Sequence, residues 1–312
     1  MTQREEAASA QTASPSSPQP WGKRLGVFLL HEQEARSVRW FEVLFTLTFL
    51  LNMGRCLLGW PEWLTADGFH LNTLETRWLG YPPPMPLMTA GWQVLVFAGL
   101  IFSGGWMFIL GKWRRLALLL LWSCAVYAQQ VDVLSSHSLN KLYIAIYTLL
   151  LLGPGMWRDP TSGRLMQSVA MLRVLQASLI LIYLAAGLVK VEGAWISNPD
   201  VLWSQVQGLY RTEMTAWLLN LLPHGAWSAM QHFALAFELL APLLFTVGRL
   251  RVFTLLFGLT FHLTIALLMK DLIYFSLQMA AFYALFVKKD EWLCFEHWLS
   301  RCVRRLTEEI GG

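Results

Sequence analysis

The chain has 312 residues, 55% of them hydrophobic and 14% charged, where a soluble domain carries about 25% charge. The net charge of +4 is modest, and the Lys and Arg residues sit in short clusters between apolar runs, which argues against a nucleic-acid surface. The four cysteines, Cys56, Cys124, Cys294 and Cys302, include no Cys-x-x-Cys pair, so neither a disulfide framework nor a thiol-exchange motif is indicated.

Residues 1–22 combine Glu5 and Glu6 with a Ser/Pro/Gln-rich stretch and no apolar core. They read as a disordered tail and not as a cleavable signal. Eight apolar segments follow, at 38–60, 88–111, 116–134, 139–155, 172–191, 226–247, 252–269 and 272–287. A helix needs about 20 apolar residues to cross a bilayer. The expected fold is therefore all-α, a polytopic transmembrane bundle of about eight helices occupying residues 23–289. The fourth and eighth segments are short for a full crossing. Gly104-Gly105 and Gly153-Pro-Gly155 read as helix irregularities and not as phosphate loops.

With the N-terminus inside, 18 of the 24 Lys and Arg residues fall on the inner side, and each inner loop holds some of them. That satisfies the positive-inside rule and places a multi-pass protein in the cell membrane with both termini cytoplasmic. Two outer loops are long. Residues 61–87 carry Trp63, Trp78, Tyr81 and Pro82-Pro-Pro84. Residues 192–225 carry Val206, Leu209, Tyr210, Trp217 and Leu221 on one side, the pattern of an interfacial helix. At the C-terminus, residues 290–312 set Trp292, Phe295, Leu299, Cys302, Leu306 and Ile310 along one stripe, with Arg301, Arg304 and Arg305 off it. This reads as a basic amphipathic helix on the inner leaflet.

Ionisable side chains inside apolar spans are costly and mark candidate sites. Arg55, His137, Lys190, Glu238 and His262 stand out. Tyr183, Gly187 and Lys190 are spaced i, i+4, i+7 and share a helix face. A lysine in an apolar pocket loses solvation of its charged form and becomes a base; a lysine snorkelling to headgroups is the alternative. His137 reads as a proton shuttle or a water-exposed interfacial histidine, and His262 as a catalytic group or a neutral histidine bonded to a neighbouring helix. Glu238 at its depth must be neutral or paired, and Pro242 leaves its backbone carbonyl without the usual helical donor. Arg55 is expected to pair with Glu238 or a ligand, or to snorkel. No metal-ligand spacing, Gly-rich phosphate loop or Gly-x-Ser-x-Gly elbow is present.

Three blocks carry a family resemblance: Tyr183-Leu-Ala-Ala-Gly-Leu-Val-Lys-Val-Glu-Gly-Ala-Trp195, His137-Ser-Leu-Asn-Lys-Leu-Tyr143, and Phe261-His262 with Phe275 and the preceding Glu238-Leu-Leu-Ala-Pro242. Over roughly residues 35–290 the chain resembles the transmembrane domain of vitamin K-dependent gamma-carboxylase and its bacterial relatives, the horizontally transferred transmembrane (HTTM) family. The resemblance implies that Lys190 is the base that deprotonates a quinol, reduced vitamin K or menaquinol, at the outer face. It implies His137 and His262 as further catalytic groups, and Arg55, Tyr183 and Glu238 as ligand-binding ones. Ser136 stands where the carboxylase has Asn, and the carboxylase continues into a lumenal substrate-binding domain where this chain ends. Quinol or lipid-soluble ligand binding is therefore the expectation ahead of peptide carboxylation. The alternatives are a non-enzymatic export or maturation partner that kept the fold, and a transporter, though no internal repeat of the transporter kind is evident. The expected partners are the lipid bilayer and a quinol, not nucleic acid.

Overall fold

The computed structural model describes residues 31–68, 70, 85–131, 138–208 and 210–310. Each of the eight apolar segments falls on helix: α1 (Arg36–Leu58), α3 (Gly91–Ile109), α4 (Arg114–Val131), α5 (Ser138–Leu152), α6 (Val169–Glu192), α9 (His224–Thr246), α10 (Arg251–Leu268), and α11 (Ile273–Phe282) continued by a 3-10 turn (Tyr283–Phe286). Short helices lie between them: α2 (Trp60–Leu64), α7 (Val201–Gln207) and α8 (Glu213–Leu221). The chain ends in α12 (Lys289–Ile310). Five helices, α1, α3, α6, α9 and α10, are long and apolar enough to cross a membrane, whereas α5 and α11 are shorter. In four of the five, a third or less of the apolar window is buried, and side chains such as Leu95, Leu181, Phe233 and Leu256 stand exposed. Apolar exposure on this scale suits hydrocarbon and not water.

Packing follows from side-chain size and from pairing of the few charges. α1 runs against α3 and α11; α3, α4 and α5 pack in succession; α6 lies on α9, and α10 on α11. Phe41, Phe45 and Phe49 of α1 meet Tyr143, Tyr147 and Phe282 in an aromatic seam with centroids 4.8 to 5.9 Å apart. Gly104 and Gly105 lie inside the continuous α3, correcting the reading of them as an irregularity: a Cβ on Gly105 would lie 2.6 Å from Leu50, so α1 and α3 approach there.

Glu42 of α1, whose carboxylate has no exposure, pairs with Arg39 at 3.3 Å and with Arg114 of α4. Arg39 also donates to the carbonyls of Phe108 and Ile109 at the end of α3. These groups fasten the start of α1 to the α3–α4 turn.

The all-α expectation missed one feature. β1 (Glu32–Glu34), β2 (Trp157–Arg158) and β3 (Leu165–Ser168) form a small antiparallel sheet in the order β1-β3-β2, with Glu32 opposite Ser168 and Glu34 opposite Met166. Ser168 ends β3 and then caps α6, its hydroxyl accepting from the Ala170 N–H at 3.2 Å. Residues 1–22 and Trp78, Tyr81 and Pro82-Pro-Pro84 of the first outer loop lie outside the described residues.

The single interfacial helix expected within 192–225 is two. α7 stops at Gly208, and α8 restarts where the Thr212 hydroxyl accepts from the Thr215 N–H. Val206 is buried while Trp217 and Leu221 are exposed, so the anticipated common face is divided; Leu209 lies outside the described residues. The C-terminal amphipathic helix is continuous, but its first turns dock on protein. Trp292 stacks on Trp40 at 5.1 Å and 6°, Phe295 meets Trp40 edge-on, and Glu296 pairs with Arg36. Phe295, Leu299 and Val303 further along keep exposed apolar surface.

Glu291 anchors the start of α12 through two bonds from the Arg251 guanidinium, at 2.8 and 2.5 Å. Arg251 chiefly holds the Glu291 carboxyl at about 2, below its ordinary 4.5. A depressed carboxyl adds stability above the unfolded value and loses it as pH falls through the folded one. A spin label on Cys294 is thus expected to gain mobility as pH falls from about 4.5 toward about 2, and Glu291→Gln to flatten that dependence.

Candidate functional site

α6 presents Tyr183, Gly187 and Lys190 to α9 and α10. Gly187 sets the spacing: a Cβ there would lie 2.9 Å from Leu239 Cδ2 and 3.1 Å from the Leu239 backbone nitrogen. The two helices therefore pass close enough for Lys190 to reach Glu238. The Lys190 ammonium donates to both carboxylate oxygens of Glu238, each at 2.6 Å, and lies 5.1 Å from the Trp195 ring. Glu238 is 5% exposed. A charge at that depth requires a partner, and Lys190 supplies it. Lys190 keeps 23% of its side-chain surface exposed, so it is less enclosed than expected and is paired instead of isolated.

Deeper lies a neutral polar chain. The Tyr183 hydroxyl sits 2.6 Å from His262 Nε2 and 2.6 Å from the Tyr283 hydroxyl. All three residues are buried. Phe237, Phe245 and Phe275 surround them, with ring centroids 5.2 to 5.9 Å from Tyr183 or His262.

Lys190, Glu238, Tyr183 and His262 line one cavity of about 570 Å³. The rest of its wall is largely apolar, including Trp195, Val206, Phe233, Phe261 and Met279. Phe233 of α9 and Thr260 of α10 line the cavity and are themselves exposed, so it reaches the surface on the flank of the helices. α7 covers one end through Leu202, Gln205 and Val206. Apolar walls with a few convergent polar groups are the ordinary make-up of a small-molecule site.

The sequence candidates therefore divide. Lys190, Glu238, Tyr183 and His262 converge. Arg55 does not join them: it pairs with Asp271 at 3.0 Å and lies over the Tyr274 ring, correcting its expected pairing with Glu238. The reason is which helices are neighbours: α1 packs on α11, and Asp271 lies just ahead of α11. His137 lies outside the described residues. Tyr283 was not among the sequence candidates; a tyrosine near the end of an apolar segment carries no signal of its partner a hundred residues away. Among the described residues, no group of three or more His, Cys, Asp or Glu side chains is placed to hold a metal ion. Comparison of the chain with family models, with curated proteins and with solved structures gives no match.

Proposed function

We propose that this is an integral membrane protein of the HTTM and carboxylase-like kind, with about eight crossings and both termini cytoplasmic, that takes a lipid-soluble quinol into the cavity from the flank. One observation carries the reading: a charged pair, Lys190 with both oxygens of Glu238 at 2.6 Å, held inside an apolar cavity that opens beside exposed Phe233. Apolar walls suit the body of such a ligand. The pair offers a donor and an acceptor to its hydroxyl without presenting net charge.

The same pair makes Lys190 a base in a specific way. Moving one proton across the contact converts ammonium and carboxylate into amine and carboxylic acid. The amine then accepts the ligand's hydroxyl proton, and Glu238 holds the first. A purely structural clamp between α6 and α9 is the second reading, favoured by the two-point geometry of the pair.

Solvent extraction of protein purified from membranes, followed by mass spectrometry, is expected to release a quinone near one equivalent. The Lys190→Met/Glu238→Met protein is expected to release little. Equal trace amounts from both would overturn the ligand reading.

A further inference from the structure

Gln231 is a polar side chain with no exposure, carried by the first half of α9, and it does not itself line the cavity. Its amide serves one neighbour, the segment that leads from α6 into α7. Nε2 donates to the carbonyls of Trp195 and Asn198, each at 2.8 Å, and Oε1 accepts from the Leu202 N–H at 2.9 Å. A carbonyl only accepts and an N–H only donates, so a single orientation of the amide satisfies all three contacts.

The segment has little else to dock it. Residues 192–194 and 196–199 are exposed and bury little apolar surface against the bundle. The bonds from the Asn198 N–H to the Ala194 carbonyl, at 2.8 Å, and from the Asp200 N–H to the Asn198 side chain, at 2.9 Å, shape the turn without tying it to α9. α7 is held differently, since Val206 packs with Trp227 and Leu268 in a small core of its own.

Trp195 is the side chain that this arrangement places. It stands three residues past the end of α6 at Glu192, so helical periodicity does not set its position. Its ring lines the cavity with its centroid 5.1 Å from Lys190 Nζ, where an ammonium and an aromatic face attract.

We infer that Gln231 is a positioning residue for the site: by holding the Trp195 and Asn198 carbonyls it keeps the Trp195 ring against Lys190, as the wall that confines the polar end of the ligand beside the base. This rests on the quinol reading and deepens it, adding a residue that acts on the ligand only through Trp195.

The test uses the full-length protein in lipid nanodiscs. Hydrogen exchange of residues 193–203, read by mass spectrometry, reports on the segment, and binding of a tritiated short-chain menaquinone reports on the site. Gln231→Met keeps the reach of the side chain and removes all three bonds. The backbone groups it frees lie in a largely exposed segment where water can take them, so the fold is expected to survive. Exchange is expected to quicken about tenfold or more, the combined worth of the lost bonds. Menaquinone is expected to bind about three- to tenfold more weakly, the worth of one aromatic contact. Trp195→Ala should weaken binding by a similar factor, and Gln231→Met added to it should cost little more, because both act through one ring. Gln231→Glu, which turns a carboxylate oxygen toward two carbonyls, should behave as Gln231→Met does. A general loosening of the bundle would instead impose the full factor of Gln231→Met in the Trp195→Ala background as well. That result, or unchanged exchange or affinity in Gln231→Met, would overturn the positioning role and leave the quinol site standing. Absence of menaquinone binding to the wild type would overturn both.

Discussion

Lys190→Arg is expected to keep the fold and lose the chemistry. Arginine can satisfy both oxygens of Glu238, as its planar guanidinium pairs carboxylates at two points. It stays protonated at any physiological pH and cannot pass its proton to Glu238. Proton abstraction from the proposed quinol ligand should then slow about 10²- to 10⁴-fold, the usual worth of a positioned base, with thermal stability near that of the wild type. Lys190→Met should do something different. It leaves the carboxylate of Glu238, 5% exposed, without its cation. Removing one partner of a buried pair costs about 3–5 kcal/mol. Adding Glu238→Met should restore most of that stability and none of the activity. If the pair is only a clamp between α6 and α9, Lys190→Arg will instead leave the ionisation of an added quinol unchanged, and quinolate absorbance measured alongside thermal unfolding in detergent separates the two cases.

Glu42→Leu is expected to be the most destabilising single change at the other end of the molecule. The carboxylate of Glu42 is wholly buried between Arg39 and Arg114. Without it the two guanidinium groups face each other across the α1–α4 contact, and the loss is again about 3–5 kcal/mol. Glu42→Gln should cost less, because the amide oxygen still accepts one of the two arginines. Thermal unfolding in detergent ranks the three proteins. Equal stability of Glu42→Leu and wild type would show that Arg39 is held by the Phe108 and Ile109 carbonyls alone.

What could be read from the sequence follows the range of the forces involved. The helices were legible because apolar length is a local property, and all eight segments fall on helix within a few residues. The face shared by Tyr183, Gly187 and Lys190 was legible for the same reason, since helical periodicity is fixed by the backbone. Glu238 and His262 stood out as polar residues among apolar ones. Their partners were not legible. Arg55 takes Asp271 and Lys190 takes Glu238 because of which helices lie side by side, which no local pattern records. Glu42 escaped notice because it sits six residues into α1, close to charged neighbours, while Arg114 lies 72 residues away. The sheet escaped because its strands have two to four residues, too few for an alternating pattern. Gly208 divided the segment expected to form one amphipathic helix, and a single glycine in a polar loop does not announce a break.

The sheet and the α12 contact together impose an order of assembly. β1 precedes the first helix, yet its partner strand begins at Leu165, and the Arg36 and Trp40 contacts wait for residues 292–296. While the ribosome is still making the middle of the chain, the entry to α1 has none of these neighbours. It gains its strand pairing once β3 emerges and its aromatic and ionic contacts only after residues 292–296 have followed. Contacts so distant along the chain close slowly, and the unfinished protein meanwhile shows an open strand edge and an uncovered Trp40. Truncation ahead of Trp292 should consequently leave a chain that is recognised as misfolded and degraded, because residues 292–296 are what shut the start of the first helix in.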